Sequence, residues 1–417
     1  MQEYCRPARD AADDSERAGD HVGAAAFLGT RLEICAQIGT ERTALTDTVG
    51  FVADRVDDAA HRANDAELLE HFVAFARSAH PRAPLYSALS AIAARDPQVA
   101  VILRRAPAPE RVPVLFFAAV HALLLGEPEA ELAQWYRNLT AEPRTPSERS
   151  LGPVFRRFVT ERHGDLEHLV ATRTTQTNEV GRCSFLLPVL GLIASEVGPV
   201  GHLDVGASGG LNLLLDRYEY HYRFDGSEQT VGGPSTVALA SEVRGDMPVP
   251  NDLPEVTSRC GVDRRPIDVT DPVEALWLEA CVWPDQADRF HRLVAAIELA
   301  RERPPELLAG DAVSSLRPAI ERVGASAHPV VTNSWVLNYL TPAARIDYLA
   351  ELDAIGAERD LSWVYAEAPA LIPELPNEPD PIDPHRTVLS MARWRNGERA
   401  ITHLATCHPH GYWIHWR

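Results

Sequence analysis

The chain has 417 residues, 45% hydrophobic and 24% charged, a balance that fits a folded globular protein with room for two domains. Its net charge of −19 excludes broad binding to nucleic-acid phosphates or anionic membranes, which need a basic surface, but not a local basic pocket. Six scattered cysteines (Cys5, Cys35, Cys183, Cys260, Cys281, Cys407) form neither a zinc spacing nor a disulfide framework, so reduced thiols in a cytoplasmic protein are expected.

The first ten residues are polar and charged, which does not read as a secretory signal. Residues 1–66 show weak helical periodicity and read as a helical arm, partly disordered. Residues 67–165 read as an all-α cap. Leu68, Leu69, Phe72, Phe75 and Ala76 mark one helix face, followed by helices over Leu85–Ala94 and Val112–Leu125. Val112–Gly126 is the longest apolar run; it contains Pro113 and His121 and is too short to span a bilayer. Leu132–Leu139 and Val154–Phe158 continue the helical pattern, and no strand is expected before Val200.

The polar run Thr174-Thr-Gln-Thr-Asn-Glu-Val-Gly-Arg-Cys-Ser leads into an apolar helix, Phe185–Val197. Asn178, Glu179 and Arg182 bring an amide, a carboxylate and a guanidinium within about one helical turn. They suit either helix capping or the wall of a substrate site.

Residues 166–417 read as an α/β domain. Strand Leu203–Val205 runs into a small-residue loop, Gly206-Ala-Ser-Gly-Gly210, and then a helix over Leu211–Tyr218. Glycines let such a loop lie against a ligand, and a helix N-terminus turns its N–H groups toward it. Further strands end at Val262-Asp263, Leu307–Asp311, Pro329–Thr332 and Trp363–Glu367, with helices over Trp277–Trp283, Phe290–Ala300 and Pro342–Ile355. Strands separated by helices imply a parallel, doubly wound sheet. Asp204 and Asp263 lie 59 positions apart, whereas a strand–helix–strand unit needs about 30 residues, so an insertion is expected at about 220–255. Residues 368–385 form a proline-rich loop. Val388–Trp394 and Ala400–Thr406, joined at Asn396-Gly397, read as a hairpin. The tail ends in a further short edge strand.

Asp204, Asp263 and Asp311 all fall at strand ends, which in a doubly wound sheet face one crevice. There they suit a cofactor ammonium, a ribose diol and an adenine amino group in turn. On these residues the chain resembles the class I S-adenosylmethionine-dependent methyltransferases, a Rossmann-like fold. The glycine motif is matched by Asp204-Val-Gly-Ala-Ser-Gly-Gly210, the second-strand acid by Asp263 and the third-strand motif by Gly310-Asp-Ala312. Val330–Trp335 matches the fourth-strand segment loosely, and the hairpin is similar to the last pair of strands. The resemblance implies S-adenosylmethionine bound by Asp204, Gly206, Ala207, Ser208, Gly209, Gly210, Asn212, Asp263, Asp311 and Ala312. Ser208 departs from the motif by replacing its middle glycine, and the proline loop replaces the helix expected after the fifth strand. From about residue 68 onward the chain also looks like an actinobacterial family known as a domain of unknown function. That likeness rests on Gln176–Arg182, Leu203–Ser208, Trp283-Pro-Asp-Gln286 and His408-Pro-His-Gly411. The dinucleotide fingerprint fails at two of its glycines, and there is no Walker loop.

Methyl transfer needs chiefly alignment, at times with a base. Candidates are Asn333, Trp335, Tyr339 and Glu367, with Asn178, Glu179, Arg182, Asn338, His408 and His410 as substrate contacts. Trp335 and Tyr339 equally suit packing under the sheet edge, and no metal is assigned to the two histidines, which lack a third ligand. Pro284 is expected to open a helix. The expected function is methylation of a small molecule. The alternatives are a non-catalytic metabolite-binding protein and a different group-transfer or hydrolytic enzyme built on the same fold.

Overall fold

Prolines at the first helical position start three of the helices that precede the sheet, where a missing N–H leaves nothing unsatisfied. The computed structural model describes residues 58–371 and 386–417. The first part is helical: α1 (Asp58–Ala79), α2 (Pro84–Ala93), α3 (Pro97–Leu103), α4 (Pro113–Gly126), α5 (Leu151–Glu161) and α6 (His163–Thr172). In α4 every residue but Val114 is buried, as an all-apolar helix requires. Phe72 of α1 meets Phe116 and Phe117 edge-on at 5.8 and 5.7 Å. His121 is a satisfied core histidine, 3.0 Å from the Ala280 carbonyl and 2.9 Å from Asn138. The helix expected over Leu132–Leu139 contracts to a 3-10 turn, Glu131–Trp135.

As expected, no described strand precedes Val200. Then follow α7 (Cys183–Val197), β1 (Val200–Val205), β2 (Glu219–Phe224), β3 (Ser227–Val231), β4 (Ala238–Arg244) and β5 (Val256–Asp263). They lead into α8 (Pro272–Ala280), α9 (Ala287–Glu302), β6 (Leu307–Ala309), α10 (Leu316–Val323), β7 (His328–Ser334), α11 (Pro342–Glu358) and β8 (Leu361–Glu367). The chain closes with β9 (Thr387–Arg395), β10 (Glu398–Cys407) and β11 (Trp413–Trp416). Val180–Val197 is long and apolar enough to cross a bilayer, but 67% of it is buried inside the fold.

Among the described residues the architecture is mixed α/β with one large, mostly parallel sheet of eleven strands, in the order β3-β2-β4-β11-β10-β9-β8-β7-β1-β5-β6. The run β6-β5-β1-β7-β8 is parallel throughout. β1, β7 and β8 lie at its centre and are almost wholly buried, as interior parallel strands are. On one face Leu203, Val205, Val331 and Trp363 pack against Leu316 and Ile320 of α10 and Tyr348 and Leu352 of α11. Strand alternation turns His202 and Asp204 to the other face.

From β1 the chain steps out to β5 and β6, then returns to β7 on the opposite side of β1. The carboxyl ends of β5, β1 and β7 therefore frame a crevice at a topological switch point. The expected insertion exists, but β2, β3 and β4 cross to the far end of the sheet. The last strand is not at an edge: β11 sits between β10 and β4 and ties the insertion to the rest. The hairpin turn is as expected, with Asn396 and Gly397 both left-handed (φ 52° and 81°).

The described helices of the expected cap and the sheet belong to one compact unit. Trp283–Gln286 is part of the joint. Pro284 opens no helix: α8 ends at Ala280 and α9 begins at Ala287. Instead the Trp283 ring packs on Phe75 and Tyr86, and the Asp285 carboxylate accepts the N–H groups of Leu85 and Tyr86, capping α2 from across the fold.

Candidate functional site

The loop after β1 turns through left-handed residues at Gly206 (φ 78°), Ser208 (φ 52°) and Gly210 (φ 72°). Its amides are taken by the protein itself. Gly206 and Ala207 donate to the Val262 carbonyl, Ser208 to Asp263 Oδ2, Gly210 to the Ala207 carbonyl, and Gly209 and Leu211 both to Asn178 Oδ1 at 3.1 Å. The expected helix at 211 is a seven-residue 3-10 segment kinked at Leu214. The N–H groups expected to face a ligand thus hold the loop to Asn178 and β5. Val336 covers Gly206 so closely that a Cβ there would come within 2.4 Å of its Cγ2.

The three acids do not converge. Asp204 lies one residue inside β1 and is 3% exposed; Thr332 donates to its Oδ1 at 2.8 Å, and Oδ2 has no partner among the described residues. Burial raises its pKa to about 7 against the opposing Thr332 hydrogen bond. Asp263, at the tip of β5, accepts from the amides of Ser208 and Arg265, one on each oxygen. Asp311 caps its own turn by accepting from Val313 and pairs with Arg264 at 3.4 Å. Among backbone and ion-pair effects, the Val313 amide does most to hold Asp311 below the usual carboxylate range.

After β7 the backbone strains. Trp335 adopts φ 59°, a left-handed value that costs a bulky residue on the order of 1–3 kcal/mol. It is held by its amide bonded to the Ala366 carbonyl and its indole N–H to Thr387 Oγ1. Glu367 anchors the same turn, accepting from Asn333 Nδ2 at 2.7 Å and the Val336 amide at 2.8 Å. Asn333 also accepts the Trp363 indole N–H. Asn333 and Glu367 are both fully buried, and burial raises Glu367 to about 7. Tyr339, by contrast, is 76% exposed.

A second cluster forms where the 3-10 turn Val180–Arg182 meets α9 and the chain after β10. Glu179 is buried and binds Arg289, with Arg292 at 3.4 Å, His410 Nδ1 at 3.1 Å and its own Gly181 amide at 3.0 Å. Burial alone would raise its pKa, yet Arg289, His410 and Arg292 together hold it well below the usual range. Arg182, 8% exposed, donates to the carbonyls of Ser334 (2.9 Å) and Pro409 (3.2 Å) and to Ser334 Oγ (3.2 Å). His408 accepts the His410 amide, which fixes the turn between them. Burial lowers the His410 pKa against the opposing pull of the Glu179 carboxylate.

These groups border an open cleft of about 650 Å³, within the range of roughly 300–1,000 Å³ usual for small-molecule sites. Of the expected site residues, Gly206, Ser208, Asp263, Ala312, Trp335, Asn338, Tyr339, Arg182 and His410 line it. Asp204, Ala207, Gly209, Gly210, Asn212, Asp311, Asn333, Glu367, Asn178, Glu179 and His408 do not line it. No residue of the insertion reaches it; the helical part contributes Arg82 and Glu110. Among the described residues no three His, Cys, Asp or Glu side chains group as metal ligands.

Sequence reasoning missed Arg82, Arg264, Arg265 and Arg289, which with Arg182 give the cleft, among the described residues, five arginines against two carboxylates, Glu110 and Asp263. One signal was present: Arg289 and Arg292 stand three apart on α9 and so share a face. No curated protein and no solved structure matches the chain. The family model described as an uncharacterized protein conserved in bacteria, DUF2332, matches residues 69–416. Since that match spans most of the length, and takes in the helices, the cleft and the closing strands alike, the chain belongs to the DUF2332 family.

Proposed function

We propose that the cleft binds S-adenosylmethionine at a Rossmann-like switch point and that the protein methylates a small molecule. One observation carries this reading. A single cleft is walled by Gly206 and Ser208 after β1, Asp263 at the end of β5, Gly310 and Ala312 after β6, and Ser334–Val336 after β7. Those are the segments whose motifs resemble the methyltransferases. Bound there, the cofactor would supply an electrophilic methyl group on a sulfonium.

The fit is best at the β5 end. Each Asp263 oxygen accepts one backbone N–H and keeps lone-pair capacity for a ribose hydroxyl. The loop would offer close backbone surface at Gly206 rather than free amides. Glu367 and Asn333 would act as positioning residues, holding the strained Trp335 turn against the acceptor. His410, which lines the cleft and whose pKa burial lowers, is the group suited to accept a proton if the acceptor loses one.

A second reading, a metabolite-binding protein without catalysis, is favoured by Asn178 occupying two loop amides and by Asp311 bonding its own turn. Titration calorimetry of the full chain with S-adenosylmethionine and S-adenosylhomocysteine separates the two. Heat with both is expected, weakened about tenfold or more by Asp263→Ala, which removes a charged hydrogen-bond acceptor. Absence of heat with either, on protein that melts cooperatively, removes the cofactor. Heat with S-adenosylhomocysteine but no turnover on any acceptor supports the second reading.

A further inference from the structure

The distribution of charge around Glu179 does not balance. Arg182, Arg289 and Arg292 are largely buried, with the side chains of Arg289 and Arg292 11% and 14% exposed. Glu179 is the carboxylate in contact with two of them. Arg182 is bonded only to neutral oxygens among the described residues, those of Ser334 and Pro409. His410 adds no negative charge. The nearby acids compensate only in part: Asp204 and Glu367 lie near Arg182 but sit at about 7, so each is only partly ionised at neutral pH, and Asp288, which accepts from the Tyr412 hydroxyl, is exposed to solvent. Buried charges are normally paired. Among the described residues, three guanidiniums facing one firmly ionised carboxylate leave a local positive excess in a protein whose net charge is −19.

The excess opens onto the cleft. Arg182 and Arg289 both line it, at the end formed by Ser334, Pro409, His410 and Gln286, across β1 from Asp263 and Gly310. Arg182 uses Nε and Nη1 on the protein, and Arg289 likewise uses Nε on Glu179 and Nη1 on Gln286. Among the described residues, Nη2 of each carries no hydrogen bond. Two guanidiniums fixed by their inner nitrogens, each with an outer one free, make a preorganised receptor for a compact oxyanion.

We infer that this end of the cleft binds a carboxylate or phosphate group of the acceptor molecule, with Arg182 and Arg289 as the clamp. The assignment to the acceptor rests on the cofactor reading of the opposite end; the anion site itself does not. The charge selects against neutral or cationic metabolites and draws the ligand in through the rim residues Arg82 and Arg265.

The test is calorimetry of the full chain with sodium phosphate and sodium malonate, against sodium chloride at matched ionic strength. Saturable binding of at least one oxyanion is expected, at least about tenfold weaker in Arg289→Gln and unchanged in Arg395→Gln at the distant β9 end. Binding of phosphate alone indicates a phosphorylated acceptor, and of malonate alone a carboxylic acid. If Arg289→Gln does not melt cooperatively, Arg289→Lys keeps the charge beside Glu179 but lacks the planar fork, and must weaken binding several-fold. No binding above chloride, or wild-type binding in the variant that folds, overturns the site. Repeating the titration on protein saturated with S-adenosylhomocysteine separates the two claims. Retained anion binding supports an acceptor clamp, and lost binding means the arginines hold the cofactor's own carboxylate, overturning the assignment. Anion binding with no heat from S-adenosylhomocysteine leaves the oxyanion site standing and the cofactor reading refuted.

Discussion

Asp204 illustrates how burial decides a side chain's role. Its carboxyl group points to the sheet face opposite α10 and α11, with one hydrogen bond from Thr332 and one unpartnered oxygen. Burial raises its pKa from 3.8 to about 7. The folded state therefore holds this proton more tightly than the unfolded chain does. The stability it contributes is complete below about pH 4 and is lost as the pH rises toward 7. Glu367, also raised to about 7, adds a loss of the same sign over the same window. Asp204→Asn should accordingly match the wild type at pH 4 and exceed it at pH 8, by on the order of 2–4 kcal/mol. Thermal melts across that range check it, and a variant no more stable at pH 8 would show that Asp204 ionises freely. An acid this deeply placed does not line the cleft.

At the scale of elements, the loop after β1 depends on a residue far from it in sequence. Asn178 takes up two loop amides, Gly209 and Leu211, and so fixes both the loop and the entry to the 3-10 segment. Removing it in Asn178→Ala leaves two buried N–H groups unpaired, at a cost of about 1–3 kcal/mol. Asn178→Asp keeps both acceptors and should recover most of that stability. Urea unfolding of the two variants measures the difference, and equal midpoints would mean that water serves as well as the amide. The same contrast explains what could be read from the chain. Strands β1, β7 and β8, the Asn396-Gly397 hairpin and the position of the glycine loop are local patterns and were legible. Asn178, in a polar run without periodicity, gave no sign of its partner 31 residues on. Short helices such as α3, α6 and α10 carry too few turns to stand out by period alone. Trp283–Gln286 looked like a helix boundary because Pro284 often opens helices; its use, capping α2 through Asp285, depends on tertiary packing.

At the scale of the molecule, the eleven strands of the described residues are joined into one sheet through β11. The insertion strands β2, β3 and β4 leave the chain beside β1 yet lie at the opposite side of the sheet, reached only through β11 and β10. β11 pairs with β10 over Ala405–Cys407 and with β4 over Glu242–Arg244, and Ile414 between them is fully buried. Just before it, the Gly411 carbonyl accepts from Ser184 of α7 and Ser241 of β4. Contacts of the insertion with α7, such as Tyr222 Oη bonded to the Ser184 carbonyl, supply the rest of its anchorage. A chain ending at His410 keeps the residues that line the cleft but loses the bridge. Its β2–β4 amides should then exchange with deuterium at least about tenfold faster than before, as one cooperative unit, while β1, β7 and β8 keep their protection. Unchanged protection in β4 would mean that α7 alone holds the insertion. Simultaneous loss in β1 would mean that the sheet melts as a whole, and that the cleft depends on strands it never touches.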